Sequence, residues 1–213
     1  NAFGFKAYIV GGAVRGLLLG KKPKDFDIAT DAFPQKIRKL FRNSRIIGRR
    51  FKLVHIYFRR NKIIEVSTFR SEKSSPNINY YGSLSEDAFR RDFSANALYY
   101  CPKNQNIIDY VDGYRDIKNK TLRILGNAKE SFLEDPVRII RAIKYASILG
   151  FKLQRSISKY IKKCKNELHR CSKERLTDEF FKILKSGHSV DILKMAYDYK
   201  LFRKFTRNLF FDA

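Results

Sequence analysis

The chain has 213 residues, 44% of them hydrophobic, and carries 45 Lys and Arg against 21 Asp and Glu, a formal net charge of +24. That length allows one large domain or one and a half, and a charge of this size repels itself unless an anion offsets it, with nucleic acid the commonest such partner. Cys101, Cys164 and Cys171 are too few and too odd in number for a disulfide framework, and no apolar run approaches the ~20 residues that span a membrane.

A Lys-rich composition alone explains some of the charge, but not the paired arginines Arg49-Arg50, Arg59-Arg60 and Arg90-Arg91. Cys164, His169 and Cys171 lie close in sequence, yet their spacing fits no common zinc pattern and a fourth ligand is not evident. Asn1 to Lys6 has no signal-peptide pattern, so the expected location is the cytoplasm. The chain lacks an initiator Met and stops at "LFFDA", which reads as a fragment of a longer protein.

In chain order, Phe5 to Val10 reads as a buried strand, broken by Gly11-Gly12, and Ala13 to Gly20 as a helix with a glycine stop. "DFDIAT", Asp25 to Thr30, is a second strand, and Pro34 to Arg42 a helix with proline in its first turn. "RIIGRRFKLVHIYF" and "KIIEVSTFR" read as two strands of a hairpin through Arg59-Arg60-Asn61. The polar stretch Glu72 to Asp87 is a loop, and Ser85 to Tyr100 a helix capped by Ser85. Ile107 to Val111 and Thr121 to Leu125 are short strands around a turn at Gly113. After Gly126 only helices are expected: one from Asp135 as N-cap with Pro136 following, then Ser156 to Asn166, Lys173 to Lys185 and Val190 to Tyr199. The pattern is thus mixed α/β to about residue 125 and all-α afterwards.

Asp25 and Asp27 are the first candidate site. On a strand, residues two apart share a face, and two like charges there conflict unless a divalent cation lies between them. Mg²⁺ prefers carboxylate oxygens and substrate phosphates, and such ions can clamp both oxygens of an in-line phosphoryl displacement. A solvated strand end would explain a lone D-x-D as well. The upstream Gly11-Gly12 turn into a helix, with Arg15 in its first turn, adds backbone N–H groups suited to a triphosphate.

"YIVGGAVRGLLLGKKPKDFDIAT" resembles the head of the class II tRNA nucleotidyltransferase and bacterial poly(A) polymerase family. The resemblance continues through "IIEVSTFR", "EDAFRRDFSANALYY", "DYVDGYRDIKNKTLRILG", "EDPVRIIRAIKYASILGF" and "ERLTDEFFKIL", in order and over nearly the whole chain. It implies an α+β fold: a polymerase-β-like head, residues 1–125, an all-α neck, 126–185, and the start of a helical body, 186–213. Asp25 and Asp27 match the family's metal-binding aspartates, implying Mg²⁺ and activation of an RNA 3′-hydroxyl. Gly11, Gly12 and Arg15 match its triphosphate contacts, and Glu65 is either a third acid or a hydrogen-bonded core Glu.

"RRDFSANAL" matches the sugar-holding motif. Asp92 and Asn96, four apart on the expected helix, share a face, so Asp92 can accept from a ribose 2′-hydroxyl, with Arg91 near the nucleotide. "EDPVRIIR" matches the neck motif, in which Asp135 and Arg138 read the base edge and Arg141 faces the triphosphate. An N-cap and an i,i+3 ion pair would explain Asp135 and Arg138 equally. Gly16 stands where the family usually has Asp, and the loop from Ser71 to Asp87 is shorter than expected.

"IIGRRFKLVHIYF", with His55, resembles the poly(A) polymerase branch. The implied activity is addition of AMP from ATP to RNA 3′ ends without a template. The alternatives are a CCA- or A-adding tRNA enzyme that also takes CTP, a non-catalytic RNA-binding relative on a degenerate fold, and a DNA-templated repair polymerase. Asp92 as ribose reader disfavours the last.

Overall fold

The computed structural model describes residues 3–23, 25–48, 52–59, 62–71, 73 and 80–202. Arg49, Arg50, Arg60, most of the expected loop after Ser71 and the C-terminal stretch from residue 203 lie outside the described residues. The chain divides into two compact units, Asn1–Ile117 and Lys118–Ala213.

The first unit holds, among the described residues, a seven-stranded sheet. Its strands are β1 (Ala7–Val10), β2 (Asp27–Thr30), β3 (Ser44–Ile47), β4 (Leu53–Phe58), β5 (Lys62–Thr68), β6 (Leu98–Cys101) and β7 (Asn106–Asp109). The order is β3-β4-β5-β2-β1-β6-β7. Only the β2–β5 pair is parallel; the other neighbours run antiparallel. Four helices accompany it: α1 (Gly12–Leu18), α2 (Pro34–Leu40), α3 (Leu84–Phe89) and α4 (Gly113–Lys118). Proline opens α2 as its sequence predicts. The helix lays Ile37 on Val54, Ile56 and Val66 of the sheet, each such burial worth roughly 1.5–3 kcal/mol.

Three sequence expectations need correction here. The stretch Arg45 to Phe58 is two antiparallel strands, β3 and β4, not one, because Gly48 takes a left-handed φ of 88° and turns the chain. The expected helix Ser85 to Tyr100 stops at Phe89, and its cap is Ser83, which forms a capping box with Glu86. A 3-10 turn at Ser94–Asn96 follows, then strand β6. Ala95, Ala97, Leu98 and Tyr99 are all fully buried, and a run buried on every side shows no period by which a strand differs from a helix. Finally, Gly113 begins α4 rather than a turn between strands; a Cβ there would sit 2.3 Å from the Ser94 carbonyl oxygen, so glycine is required by contact.

The second unit is helical: α5 (Ala128–Glu134), α6 (Val137–Leu149), α7 (Arg155–Cys164), α8 (Lys173–Leu184) and α9 (Ser189–Asp198). A 3-10 stretch, Lys165–Arg170, follows α7. Two short strands, β8 (Thr121–Leu122) and β9 (Lys152–Leu153), pair in parallel, so the region is not purely helical. Helix α6 buries Ile139, Ile140, Ala142, Ile143 and Ala146, and Gly150 ends it at a left-handed φ of 64°. From α6, Lys144 forms an ion pair with Glu179 of α8, both side chains buried.

Helix α5 was not foreseen, and it displaces the expected cap. Asp135 is the C-cap of α5, in extended backbone at φ −142° and ψ 90°, and Pro136 is the N-cap of α6. The Asp135 side chain is engaged elsewhere, as described below. No helix among the described residues is long and apolar enough to cross a membrane.

Candidate active site

Strand β2 begins at Asp27, so Asp25 precedes it and the strand alternation does not set Asp25's direction. In the sheet Asp27 lies opposite Val10 of β1 and Glu65 of β5. The residue keeps exposed surface, but packing around the carboxyl itself removes much of its water. That desolvation, then the Glu65 charge, and to a lesser degree Asp25, push the Asp27 carboxyl above the ordinary carboxylate range, against the pull of Arg91. A cavity of about 250 Å³ opens beside it, lined by Lys52, Glu65, Ser67, Arg70 and Arg91 among others.

Gly11 closes the turn between β1 and α1 at φ 74°, where a side chain is strained. The space its Cβ would take is 3.8 Å from Arg91 Nη1 and 3.9 Å from Asp27 Oδ2. The glycine turn, the arginine and the aspartate therefore face one spot. Gly12 begins α1 and is exposed. From that helix Arg15 Nη1 donates to Asn96 Oδ1, and Asn96 Nδ2 donates to Asp92 Oδ1 at 3.0 Å. Asp92 Oδ1 also accepts from the Phe93 N–H at 2.8 Å. Asp92 and Asn96 thus meet as expected, but across a 3-10 turn and not along a helix. Gly16 sits within α1, where an added Cβ would stand at an ordinary 3.7 Å from the Lys21 carbonyl oxygen.

Beneath Arg91 lies a network the sequence reading missed. Asp87, 1% exposed, accepts on Oδ2 from Arg91 Nε at 3.2 Å, Arg91 Nη2 at 3.0 Å and the Tyr99 hydroxyl at 2.6 Å. Its Oδ1 accepts from the Arg70 backbone N–H at 3.2 Å. Burial alone would raise the Asp87 carboxyl, yet Arg91, Arg70 and the Tyr99 hydroxyl outweigh it and hold it below the ordinary range. The same burial pushes the Tyr99 phenol up, so it stays a neutral donor. Arg91 is thus gripped through Nε and Nη2, leaving Nη1 toward Gly11 and Asp27. The i,i+4 spacing of Asp87 and Arg91 was a readable signal.

Glu65 is half-buried, and its Oε2 lies 3.2 Å from His55 Nε2 across the β4–β5 pair. Among the described residues no group of three or more His, Cys, Asp or Glu side chains is gathered to hold a metal, so a three-acid set of Asp25, Asp27 and Glu65 is not assembled. The acids near β2 are hard oxygen donors whose mutual repulsion a divalent cation would relieve; two carboxylates completed by ligand oxygens fit Mg²⁺.

In the second unit, Asp135 Oδ2 accepts from Arg175 Nη2 at 2.9 Å, while its Oδ1 is buried without a donor among the described residues. Arg138 Nη1 donates to Ser131 Oγ at 2.7 Å and Glu134 Oε2 at 2.9 Å. The Asp135 and Arg138 side chains are therefore held by other residues, and the two positions are joined through the Arg138 N–H to the Asp135 carbonyl at 3.0 Å. Arg141 lies against Tyr145, with Glu179 3.8 Å away. Arg175, Ser131 and Glu134 were not singled out from the sequence, because these contacts join separate helices or depend on the unforeseen α5.

Residues 7–123 match the family described as poly A polymerase head domain, and residues 150–210 the one described as probable RNA and SrmB-binding site of polymerase A. Poly(A) polymerase I of Escherichia coli strain CFT073 is 41% identical over 95% of this chain and 47% of its own length. A CCA-adding enzyme of Enterococcus faecalis is 39% identical over 86% of this chain and 46% of its own. Among solved structures, the Bacillus stearothermophilus CCA-adding enzyme in complex with CTP superposes with a TM-score of 0.83 at 34% identity, covering 94% of this chain and 49% of that one. The sheet and its helices are the polymerase-β-like nucleotidyltransferase fold of these structures. The chain belongs to the family of poly(A) polymerases and CCA-adding tRNA nucleotidyltransferases. It spans about half the length of the curated relatives it matches.

Proposed function

We propose that the protein to which this chain belongs adds AMP from ATP to RNA 3′ ends without a nucleic-acid template. The observation that carries the reading is the convergence of Asp27 Oδ2, Arg91 Nη1 and the glycine turn on one spot. A carboxylate, a cation and the backbone N–H groups at the start of α1 in that arrangement suit a nucleoside triphosphate beside a metal-assisted phosphoryl transfer. Asp25 and Asp27 would hold Mg²⁺, which when bound stabilises charge on the oxygens of an in-line displacement. The chain's own groups do the rest. Gly11 and Gly12 bind the triphosphate with Arg15 and Arg91, and Asp92, braced by Asn96, accepts from the ribose 2′-hydroxyl. Glu65, whose charge opposes ionisation of Asp27, adds to the demand for a cation there. In the second unit, the shared neck motif implies that Asp135 accepts from an exocyclic amine of a base, Arg138 donates to its ring and Arg141 meets phosphate. The reaction belongs in the cytoplasm.

Poly(A) addition is favoured by the "IIGRRFKLVHIYF" stretch and by the identity to Escherichia coli poly(A) polymerase I. CCA addition is the second reading, favoured by the similarity to a CTP-bound CCA-adding enzyme. Primer extension by the full-length protein with Mg²⁺ separates them. A long ladder from ATP on a generic RNA is expected. Two C and one A, on a tRNA lacking CCA only, would establish the second reading.

A further inference from the structure

The outer edge of the sheet carries a feature that the transfer site does not use. Strand β3 is the last strand of the order, and the end of α2 lies against it. Together they wall an open groove of about 590 Å³ lined by Arg38, Arg42, Arg45, Tyr57, Ile46 and Ile47 among others. No Asp or Glu lines it among the described residues. All three arginines are exposed. The groove's form is fixed from within. Arg38 Nη1 donates to the Arg42 carbonyl at 2.9 Å, Asn43 Nδ2 to the Tyr57 carbonyl at 2.7 Å and Ser44 Oγ to the Phe41 carbonyl at 2.5 Å. These bonds tie down Arg38 and the polar wall, and leave Arg42 and Arg45 directed by the backbone on which they sit.

An edge strand needs a single charge to discourage pairing with another chain. Three guanidiniums converging on a concave surface, with no carboxylate among them, exceed that need. Guanidinium matches phosphate geometry in two-pronged fashion. A basic groove with an aromatic ring beside it is the chemistry by which proteins track single-stranded nucleic acid without reading its sequence. β3 is separated from β2 by β4 and β5, three strand spacings or about 14 Å, so a strand whose 3′ end lies at Asp27 is within a few nucleotides of this edge.

We infer that the Arg38–Arg42–Arg45 groove is a second RNA-backbone site, on the head, which holds the single strand upstream of the 3′ end. The inference rests on RNA as the substrate and adds a contact outside the region 150–210 matched to RNA binding. Because Arg38 also satisfies carbonyls at the end of α2, the test variant is R42Q/R45Q in the full-length protein, with R42K/R45K as the charge-keeping control. Two probes are used: a trinucleotide, and a single-stranded RNA of about 20 nucleotides, longer than the ~4–16 that one compact site covers. For the long RNA, losing two phosphate contacts should flatten the slope of log affinity against log salt by about 1.4 and weaken binding roughly tenfold or more near ~0.1 M salt. R42K/R45K should keep the wild-type slope, and AMP transfer to the trinucleotide should be unchanged in all three proteins. Equal affinity and slope for R42Q/R45Q and wild type on the long RNA would overturn the inference. So would a loss on the trinucleotide as large as on the long RNA. If wild type binds the long RNA but transfers nothing, the proposed reaction fails, while the binding comparison still decides the groove.

Discussion

Two aspartates of the same sheet-bearing unit meet opposite electrostatics. Asp87 is buried and surrounded by donors: two guanidiniums, a phenol and a backbone N–H close on its oxygens. Asp27 is partly desolvated and set beside other acids, with Arg91 as its nearby counter-charge. Arg91 joins the two, since the side chain that completes Asp87's shell points its remaining nitrogen at Asp27. Asp87, its charge met, holds the fold; Asp27, set beside like charges, is the acid proposed to meet a ligand.

The comparison breaks most visibly at Asp87. Asp87→Asn leaves the half-buried Arg70 and Arg91 without their counter-charge and is expected to destabilise by about 3 kcal/mol at neutral pH, read by denaturant unfolding. Asp87's folded pKa is depressed, so its contribution is fully present above the unfolded value of about 4. It is lost as pH falls through the folded value, and the variant and wild type should converge in acid. Next comes Gly113→Ala, whose new methyl meets the Ser94 carbonyl at 2.3 Å. Overpacking of this kind costs about 1–3 kcal/mol, and since Ser94–Asn96 carries the residue that binds Asp92 and Arg15, nucleotide affinity should fall with the melting temperature.

Asp27→Asn should go the other way. Its folded pKa is raised, so the wild-type protein loses stability as pH climbs from the ordinary carboxylate range through the folded value. The variant should therefore melt slightly higher than wild type at neutral pH and no higher in acid, by less than about 1 kcal/mol given its exposure. Smallest is Arg175→Gln, which releases an exposed partner of Asp135 and should change stability by about 0.5 kcal/mol or less. Discrimination between ATP and CTP should nonetheless relax, which competition binding would reveal.

Much of this was legible before any coordinates. The glycine turn, strand β2 and the long helix α6 follow from local chemistry: a glycine pair, a β-prone apolar run, and apolar residues at helical spacing. What failed was wherever burial erased periodicity or a contact crossed the chain. Leu98 and Tyr99 look helical because every neighbour is apolar, and only pairing with β1 and β7 makes them a strand. Asp135 looks like a cap because Pro136 follows it, but Arg175, 40 residues on, takes its carboxylate. Asp92 and Asn96 meet for a reason other than the predicted one, through a 3-10 turn that keeps the same i,i+4 reach.

The central claim is the role proposed for Asp27 in phosphoryl transfer. The most direct test follows AMP transfer from labelled ATP to an RNA 3′ end, with Mg²⁺, in the full-length wild type and in Asp27→Asn, alongside melting of each. The account predicts extension by wild type and a loss of about a thousandfold in a variant that melts no lower. Equal extension by the two proteins would contradict it.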